Sequence, residues 1–260
     1  MTALGALPKK VVAKPITAVG GLVAMSLDTF VALFTTRFAF REFVLMTWFV
    51  ARVSLLPTIL LAIPFTTFVV FILNILLLEV GAADASGSVA ALAAIQIGPI
   101  VTVLVVSGAG ATAMCADLGA RTIRDELDAM RVMGINPIQA LVVPRVLAGA
   151  LVATMLFAVV TLAGLLGAFL FSVYVQHVTP GAFVAGLTLV IGFGNSVMAM
   201  VKSCVFGIAA SLIACYKGVS VEGGPQGVGN AVNETVVYGF MSLFAINIVL
   251  TAIDLKLNPL

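Results

Sequence analysis

Hydrophobic residues in this chain run rather than alternate. Long apolar segments occupy about Val53–Val80, Val89–Ala116, Ile138–Val175, Ala182–Tyr216 and Ala231–Ile253, with short polar stretches between them. Each reaches or exceeds the roughly 18–20 residues that cross a bilayer as a helix. Continuous runs argue against a barrel, whose strands alternate. The pattern predicts an all-α polytopic membrane protein with five transmembrane helices. Pro57, Pro64 and Gly98-Pro99 predict kinks, and Thr66 and Thr67 can satisfy backbone groups that Pro64 frees.

Two stretches depart from the pattern. Residues 16–36 are apolar but broken by Gly20, Gly21 and Asp28. A central aspartate costs about 2.5–3.5 kcal/mol in a spanning helix, so this piece predicts an N-terminal interfacial helix. It lacks the layout of a cleavable signal peptide. A short amphipathic piece around Trp48 follows, flanked by Arg37, Arg41, Glu42 and Arg52. Residues 1–52 therefore divide from a membrane domain at 53–260.

The second departure lies between spans 2 and 3. Ala116, Ala120, Ile123, Leu127, Met130 and Gly134 recur at spacings of three and four, the signature of one helix face. Arg121, Arg124, Asp125, Asp128 and Arg131 fall opposite, with Arg121–Asp125 and Arg124–Asp128 at i,i+4. Glu126 sits on the flank of the apolar stripe. Gly134 and Pro137 end the helix. One amphipathic helix over about 117–137 is predicted. A solvated surface helix and a docking helix for a partner protein share this pattern.

Composition narrows the class. The 260 residues are 62% hydrophobic and 9% charged, with a mean hydropathy of +1.23; soluble domains carry roughly 25% charged residues. A net charge of +2 gives no basis for nucleic-acid binding. With the N-terminus in the cytoplasm, Lys9, Lys10, Lys14, Arg37, Arg41, Arg52, Arg121, Arg124, Arg131, Arg145 and Lys217 all fall on the cytoplasmic side. Only Lys256 falls on the other. The positive-inside rule thus places the 117–137 helix in the cytoplasm and the C-terminus outside.

Candidate chemistry is sparse. His177 is the single histidine, which makes a metal site improbable, and Cys115, Cys204 and Cys215 read as buried free thiols. No acid–base cluster at catalytic spacing supports a lipid-modifying enzyme. Lys202 is an intramembrane charge, either snorkelling to the surface, or paired with a carbonyl or Glu234, or used in an ion-coupled secondary transporter or channel. Gly108, Thr112, Ala116 and Ala120 form a stripe of small residues suited to close packing. Asn74 and Asn247 can bond between helices. Gly223–Gly229 lacks the Lys-Ser/Thr of a P-loop and predicts a tight turn. Asn233-Glu-Thr235 fits a glycosylation sequon, on the wrong side for its use. A lipid path needs an apolar wall; Phe68, Phe71, Ile72 and Ile75 on the first span and Phe244 and Ile248 on the last could supply one, though a packing face looks the same.

Three separated motifs add a resemblance. They are Glu126-Leu-Asp-Ala-Met-Arg-Val-Met-Gly-Ile-Asn-Pro137 with Val142-Val-Pro-Arg145-Val-Leu-Ala148; Lys202-Ser203 through Phe206-Gly207 to Cys215-Tyr216 and Gly218; and Gly223-Gly-Pro-Gln-Gly-Val-Gly229 with Ala231-Val-Asn233 and Val236-Val237. Their order and spacing resemble the MlaE/YrbE permease family. Ala109 to Ile123 is more similar to the A-type subunit of the actinobacterial YrbE branch. Asp117 stands later than the acid usual in MlaE-like chains, so MlaE-specific contacts are not carried over there. The resemblance implies the permease of an Mce-type lipid ABC transporter in the inner membrane, without enzymatic activity or a cofactor of its own. Implied partners are a B-type YrbE paralogue, a cytoplasmic P-loop ATPase dimer holding ATP and Mg, and periplasmic Mce proteins. Implied substrates are fatty or mycolic acids, phospholipids or sterols. Arg121, Arg124, Asp125, Glu126, Asp128, Arg131 and Gly134 would couple to the ATPase.

Overall fold

The computed structural model describes residues 9–35, 38–82, 85–190 and 192–257. Arg37, Asp84 and residues 1–8 lie outside the described residues, as do the side chains of Lys9, Lys10 and Lys14. The described residues fold into α1 (Lys9–Thr35), α2 (Phe40–Glu79), α3 (Ser86–Val105), α4 (Thr112–Thr122), α5 (Glu126–Val132), α6 (Val143–Tyr174), α7 (Pro180–Val190), α8 (Phe193–Val219) and α9 (Gly224–Leu257). Short π-helical segments at Val106–Ala111 and Ile138–Val142 join α3 to α4 and lead into α6. Five helical stretches are long and apolar enough to span a membrane: Phe40–Glu79, Ser86–Thr122, Ile138–Tyr174, Gly194–Val219 and Gly224–Asp254. The chain is a multi-pass, all-α membrane protein, as the apolar runs predict.

The first span is longer than the sequence implies. Nothing between Arg41 and Pro57 breaks a helix, so the Trp48 piece and the span form one helix of 40 residues that crosses the expected boundary at residue 52. Its buried positions, from Met46 and Val50 through Thr66 and Val70 to Asn74, recur every fourth residue and pack along α6. Asn74 Nδ2 donates to Ser172 Oγ at 3.0 Å and to Gln176 Oε1 at 2.6 Å, the interhelical bond expected of it. Both prolines sit inside the helix. The Thr66 hydroxyl bonds Ala62 O rather than the Leu60 carbonyl that Pro64 frees. Thr66 and Thr67 instead lie against Gly164 and Gly167 of α6.

Helices α6 and α8 pack tightly against each other at two glycines. A β-carbon on Gly207 would fall 2.6 Å from Gly149 O and 2.7 Å from Ala153 Cβ, and one on Gly149 would overlap the Ser211 hydroxyl. Small residues let helix backbones meet where lipid supplies no hydrophobic drive. Gly207→Leu should therefore cost about 1–3 kcal/mol through overpacking, read as a lower melting temperature in detergent. Gly108→Ala is the control and should be neutral, because its β-carbon meets nothing within 4 Å.

That control also corrects the small-residue stripe. Gly108, Thr112, Ala116 and Ala120 are all partly exposed. The buried face carries Gly110, Met114, Cys115, Leu118 and Gly119 instead. The π segment inserts an extra residue per turn and rotates the helix beyond it. Thr112 Oγ1 takes up the loosened carbonyls of Gly108 and Ala109 at 2.6 and 3.0 Å.

The fourth apolar run is two helices. α7 tucks onto the start of α3, where Phe183 is fully buried and β-carbons on Gly87 or Gly186 would strike the facing backbone. α8 begins after Gly192, whose backbone is extended. At the other end of the bundle, α1 lies across α8 and the π segment before α6. It buries Met25, Thr29 and Ala32 and leaves Val23, Leu27, Phe30 and Phe34 exposed, as an interfacial helix would.

Candidate functional site

The polar stretch between spans 2 and 3 folds as two helices, not one. Residues to Thr122 complete the second span as α4; a turn at 123–125 follows, and α5 covers only Glu126–Val132. Thr122 causes the break. Its hydroxyl bonds Gly218 O of α8 as well as Leu118 O, both at 2.9 Å, and so fixes the end of α4 against a neighbour. The chain then reverses through Asp125 at φ 57°, a left-handed conformation that aspartate tolerates. Leu127 is 3% exposed and packs with Leu118, Leu141, Cys215 and Met25, anchoring α5 to four other elements. Gly134, at φ 76°, ends α5: Ile135 N–H donates to Met130 O and Gly134 N–H to Arg131 O, the paired closure of a Schellman motif.

The break re-pairs the charges. Arg121 meets Asp117 at 3.5 Å, Arg124 meets Glu126 at 3.1 Å and Arg131 meets Asp128 at 2.7 Å. The expected Arg121–Asp125 and Arg124–Asp128 pairs require an unbroken helix and do not form. Glu126 and Asp128 occupy the first turn of α5, where the helix dipole favours anions. Around them the outer face of α5 is exposed: Val132 at 88%, Met133 at 66% and Ile135 beside them, next to Arg124, Asp128 and Arg131. It is a mixed apolar and charged knob at the tip of the bundle.

Behind the knob lies a feature the sequence reading missed. Arg145 is fully buried. Its Nη2 donates to Asp117 Oδ2 at 2.6 Å, its Nη1 to Leu141 O at 3.1 Å, and Nη1 lies 3.2 Å from Glu42 Oε1. One guanidinium thereby joins α2, α4 and α6. The available signal was a charge inside an apolar run: Arg145 lies seven residues into the predicted span Ile138–Val175, while Asp117 borders the span before it.

The proposed lipid-wall residues divide. Phe68, Ile72 and Ile75 on α2, and Phe244 and Ile248 on α9, are exposed. Phe71 instead packs edge-on against Phe171 of α6, centroids 5.1 Å apart. The two helices do not meet face to face; α3 lies between them. Leu104 of α3 lines a groove of about 440 Å³ with Pro57, Leu60 and Leu61 on one side, and a slit with Phe206, Phe244 and Asn247 on the other.

Lys202 finds neither Glu234 nor a carbonyl. Its Nζ donates to Asp254 Oδ2 at 2.7 Å, while Glu234 pairs with Lys217 at 2.6 Å. α8 and α9 are antiparallel, so Glu234 sits level with Lys217, near α5, and Asp254 reaches Lys202 near the opposite end. Lys202→Met should cost about 1–3 kcal/mol, and Lys202→Met with Asp254→Leu should regain most of it in thermal unfolding. An ion-coupled role at Lys202 would leave the double variant stable but inactive. The three cysteines are free, two of them buried. Gly223 and Gly224 adopt positive φ and form the expected turn, and the rest of that glycine run is the first turn of α9.

A family model described as permease MlaE matches residues 43–253. The chain belongs to the MlaE permease family. It is 31% identical over 157 residues to the chloroplastic protein TRIGALACTOSYLDIACYLGLYCEROL 1 of Arabidopsis thaliana, covering 60% of this chain and 45% of that one. It is 28% identical over 156 residues to a probable ABC transporter permease protein of Synechocystis, covering 60% and 59%. The intermembrane phospholipid transport system permease protein MlaE of Haemophilus influenzae is 25% identical over 181 residues, covering 69% of each. The matched part thus spans about half the length of the first two relatives. The MlaE permease match runs from the start of α2 through nearly all of α9. It takes in the α5 knob, the buried Arg145 and Lys202, and stops one residue before Asp254.

Proposed function

We propose that this chain is the membrane-embedded permease subunit of an ATP-driven lipid transporter, docking through α5 onto a separate P-loop ATPase. The carrying observation is the α5 knob. Val132 and Met133 are too exposed for apolar residues that stand beyond the spans, and the salt-bridged charges around them give an outline a protein groove can read. Arg121, Arg124, Asp125, Glu126, Asp128, Arg131 and Gly134 hold or border that knob. A push on α5 reaches α4 through the short turn, and reaches α2 and α6 through Arg145.

The lipid would lie against the outer walls. The apolar windows of α2 and α9 are 22% and 11% buried, against 61% for the second span. Phe68, Ile72, Ile75, Phe244 and Ile248 give those walls their apolar character. A second permease copy, in the YrbE branch a B-type paralogue, would close the groove over Leu104. The membership of the family and the names of its relatives support a lipid as cargo. In this reading the N-terminus and α5 are cytoplasmic, the C-terminus is periplasmic in the inner membrane, and Mce proteins sit outside. ATP and Mg stay on the ATPase, and the chain makes and breaks no bonds.

Purification from native membrane tests the reading. The expected result is a co-purifying P-loop ATPase and Mce proteins with a bound lipid in mass spectrometry. Lipid flux driven by an ion gradient in the isolated chain would overturn it in favour of the Lys202-based alternative.

A further inference from the structure

A second groove lies away from the α2 and α9 walls around Leu104. Its sides are Val19 and Leu22 of α1 and Tyr238, Met241 and Ser242 of α9; its floor is Ile213, Tyr216 and Lys217 of α8. Its volume is about 370 Å³, within the range of small-molecule pockets. Gly21 lets α1 settle closely onto α8 there: a β-carbon would fall 2.6 Å from the Tyr216 hydroxyl and push that side chain aside. Val19 and Met241 are 63% and 67% exposed, so the groove opens sideways to the bilayer.

The two ends of the groove differ. Toward the α5 end, Lys217 Nζ lies 2.6 Å from Glu234 Oε2 and 4.4 Å from the centroid of the Tyr238 ring. The lysine side chain is 15% exposed and the glutamate 54%. One helical turn deeper, Ile213 and Met241 are apolar. A cation and an anion therefore stand side by side at the mouth of an apolar channel, near the α5 end of α8 and α9.

We propose that this groove holds a zwitterionic aminophospholipid from the leaflet on the α5 side. Its phosphate accepts a hydrogen bond from Lys217, whose ammonium carries three donors and gives one to Glu234. Its amine donates to the outward-facing Glu234 carboxylate. One acyl chain lies along Leu22, Ile213 and Met241. A purely anionic headgroup would meet the Glu234 charge, and a diacylglycerol would leave both charges unused. The site depends on the membrane-spanning reading of the chain and not on transport. A lipid there would wedge α1 against α8 and α9.

The test is photolabelling of the full chain in phosphatidylethanolamine–phosphatidylglycerol vesicles. The probe is phosphatidylethanolamine with a diazirine on the first few carbons of one acyl chain, next to the ester, mapped by peptide mass spectrometry. Labelling of Leu22, Ile213 and Met241 should exceed that of Leu151 and Met155, exposed positions on α6 nearer the same level, by about tenfold. Lys217→Gln should lower groove labelling about tenfold, the loss of one charge-assisted bond, and leave labelling by the matching diacylglycerol probe unchanged. Met241→Trp, a fold-neutral change at an exposed site, should empty the groove of both probes. Equal labelling of the groove and α6, or equal labelling by the phosphatidylethanolamine, phosphatidylglycerol and diacylglycerol probes, would overturn the proposal. Loss of groove labelling when the second permease subunit is added would assign the groove to a subunit contact and also overturn it. Failure of ATP-driven transport would leave these readouts untouched.

Discussion

Arg145→Ala should destabilise the protein by about 3–5 kcal/mol, because it leaves two carboxylates facing an emptied, buried site. Glu42 and Asp117 meet at that guanidinium from α2 and α4, and Arg145 itself is fully buried in α6. For a chain of this size the loss corresponds to a melting temperature lower by about 10 °C. The companion variant distinguishes the loss of an ion cluster from the loss of a side chain. Glu42→Gln, Asp117→Asn and Arg145→Met together remove the three charges that meet at the buried site, leaving only the partly exposed Arg121 beside it, and should recover most of the stability, since apolar replacements of buried ion networks are often neutral or better. If that triple variant is as stable as the parent but no longer transports lipid, Arg145 acts as the joint between α5 and the spans. If Arg145→Ala melts like the parent, the cluster does not hold these helices together.

The second large effect is expected at the knob. Val132→Asp with Met133→Asp should weaken ATPase binding at least about 30-fold, the loss of one interface hot spot. Both residues are exposed and neither lies in a core cluster, so melting of the isolated permease should not change. Arg131→Ala and Glu126→Ala remove one member each of exposed ion pairs and should act more weakly. Binding measured with the purified ATPase separates these outcomes. An unchanged affinity in the double aspartate variant would remove the knob from the interface.

The parts legible in the sequence are those that depend on length and local pattern. A continuous apolar run needs only enough residues to cross a bilayer, so all five spans were visible. Gly134 closes α5 for local reasons, and its role was visible too. The break before α5 was not. It rests on Thr122 reaching Gly218, 96 positions away, and on Leu127 turning into a cluster drawn from α1, α4, α6, α8 and the π segment before α6. Surface pairs then followed the new geometry, because exposed ion pairs are too weak to direct it. Arg145 was hidden for the same reason: Glu42, Asp117 and Arg145 share no periodicity, and only tertiary packing brings them together. Wall residues were hardest. In a helix apolar all round no moment marks the packed side, so Phe71 looked like Phe68 and yet packs against α6.

The central claim is that α5 is where a nucleotide-hydrolysing partner grips this chain. A photocrosslinking amino acid at Val132, in the assembled complex in its native membrane, tests that contact directly. A second at Val80, 81% exposed at the opposite end of the bundle, serves as the control. The predicted result is an adduct between position 132 and the P-loop ATPase, with none from position 80. A complex that moves lipid under ATP yet gives no ATPase adduct at position 132 would contradict it.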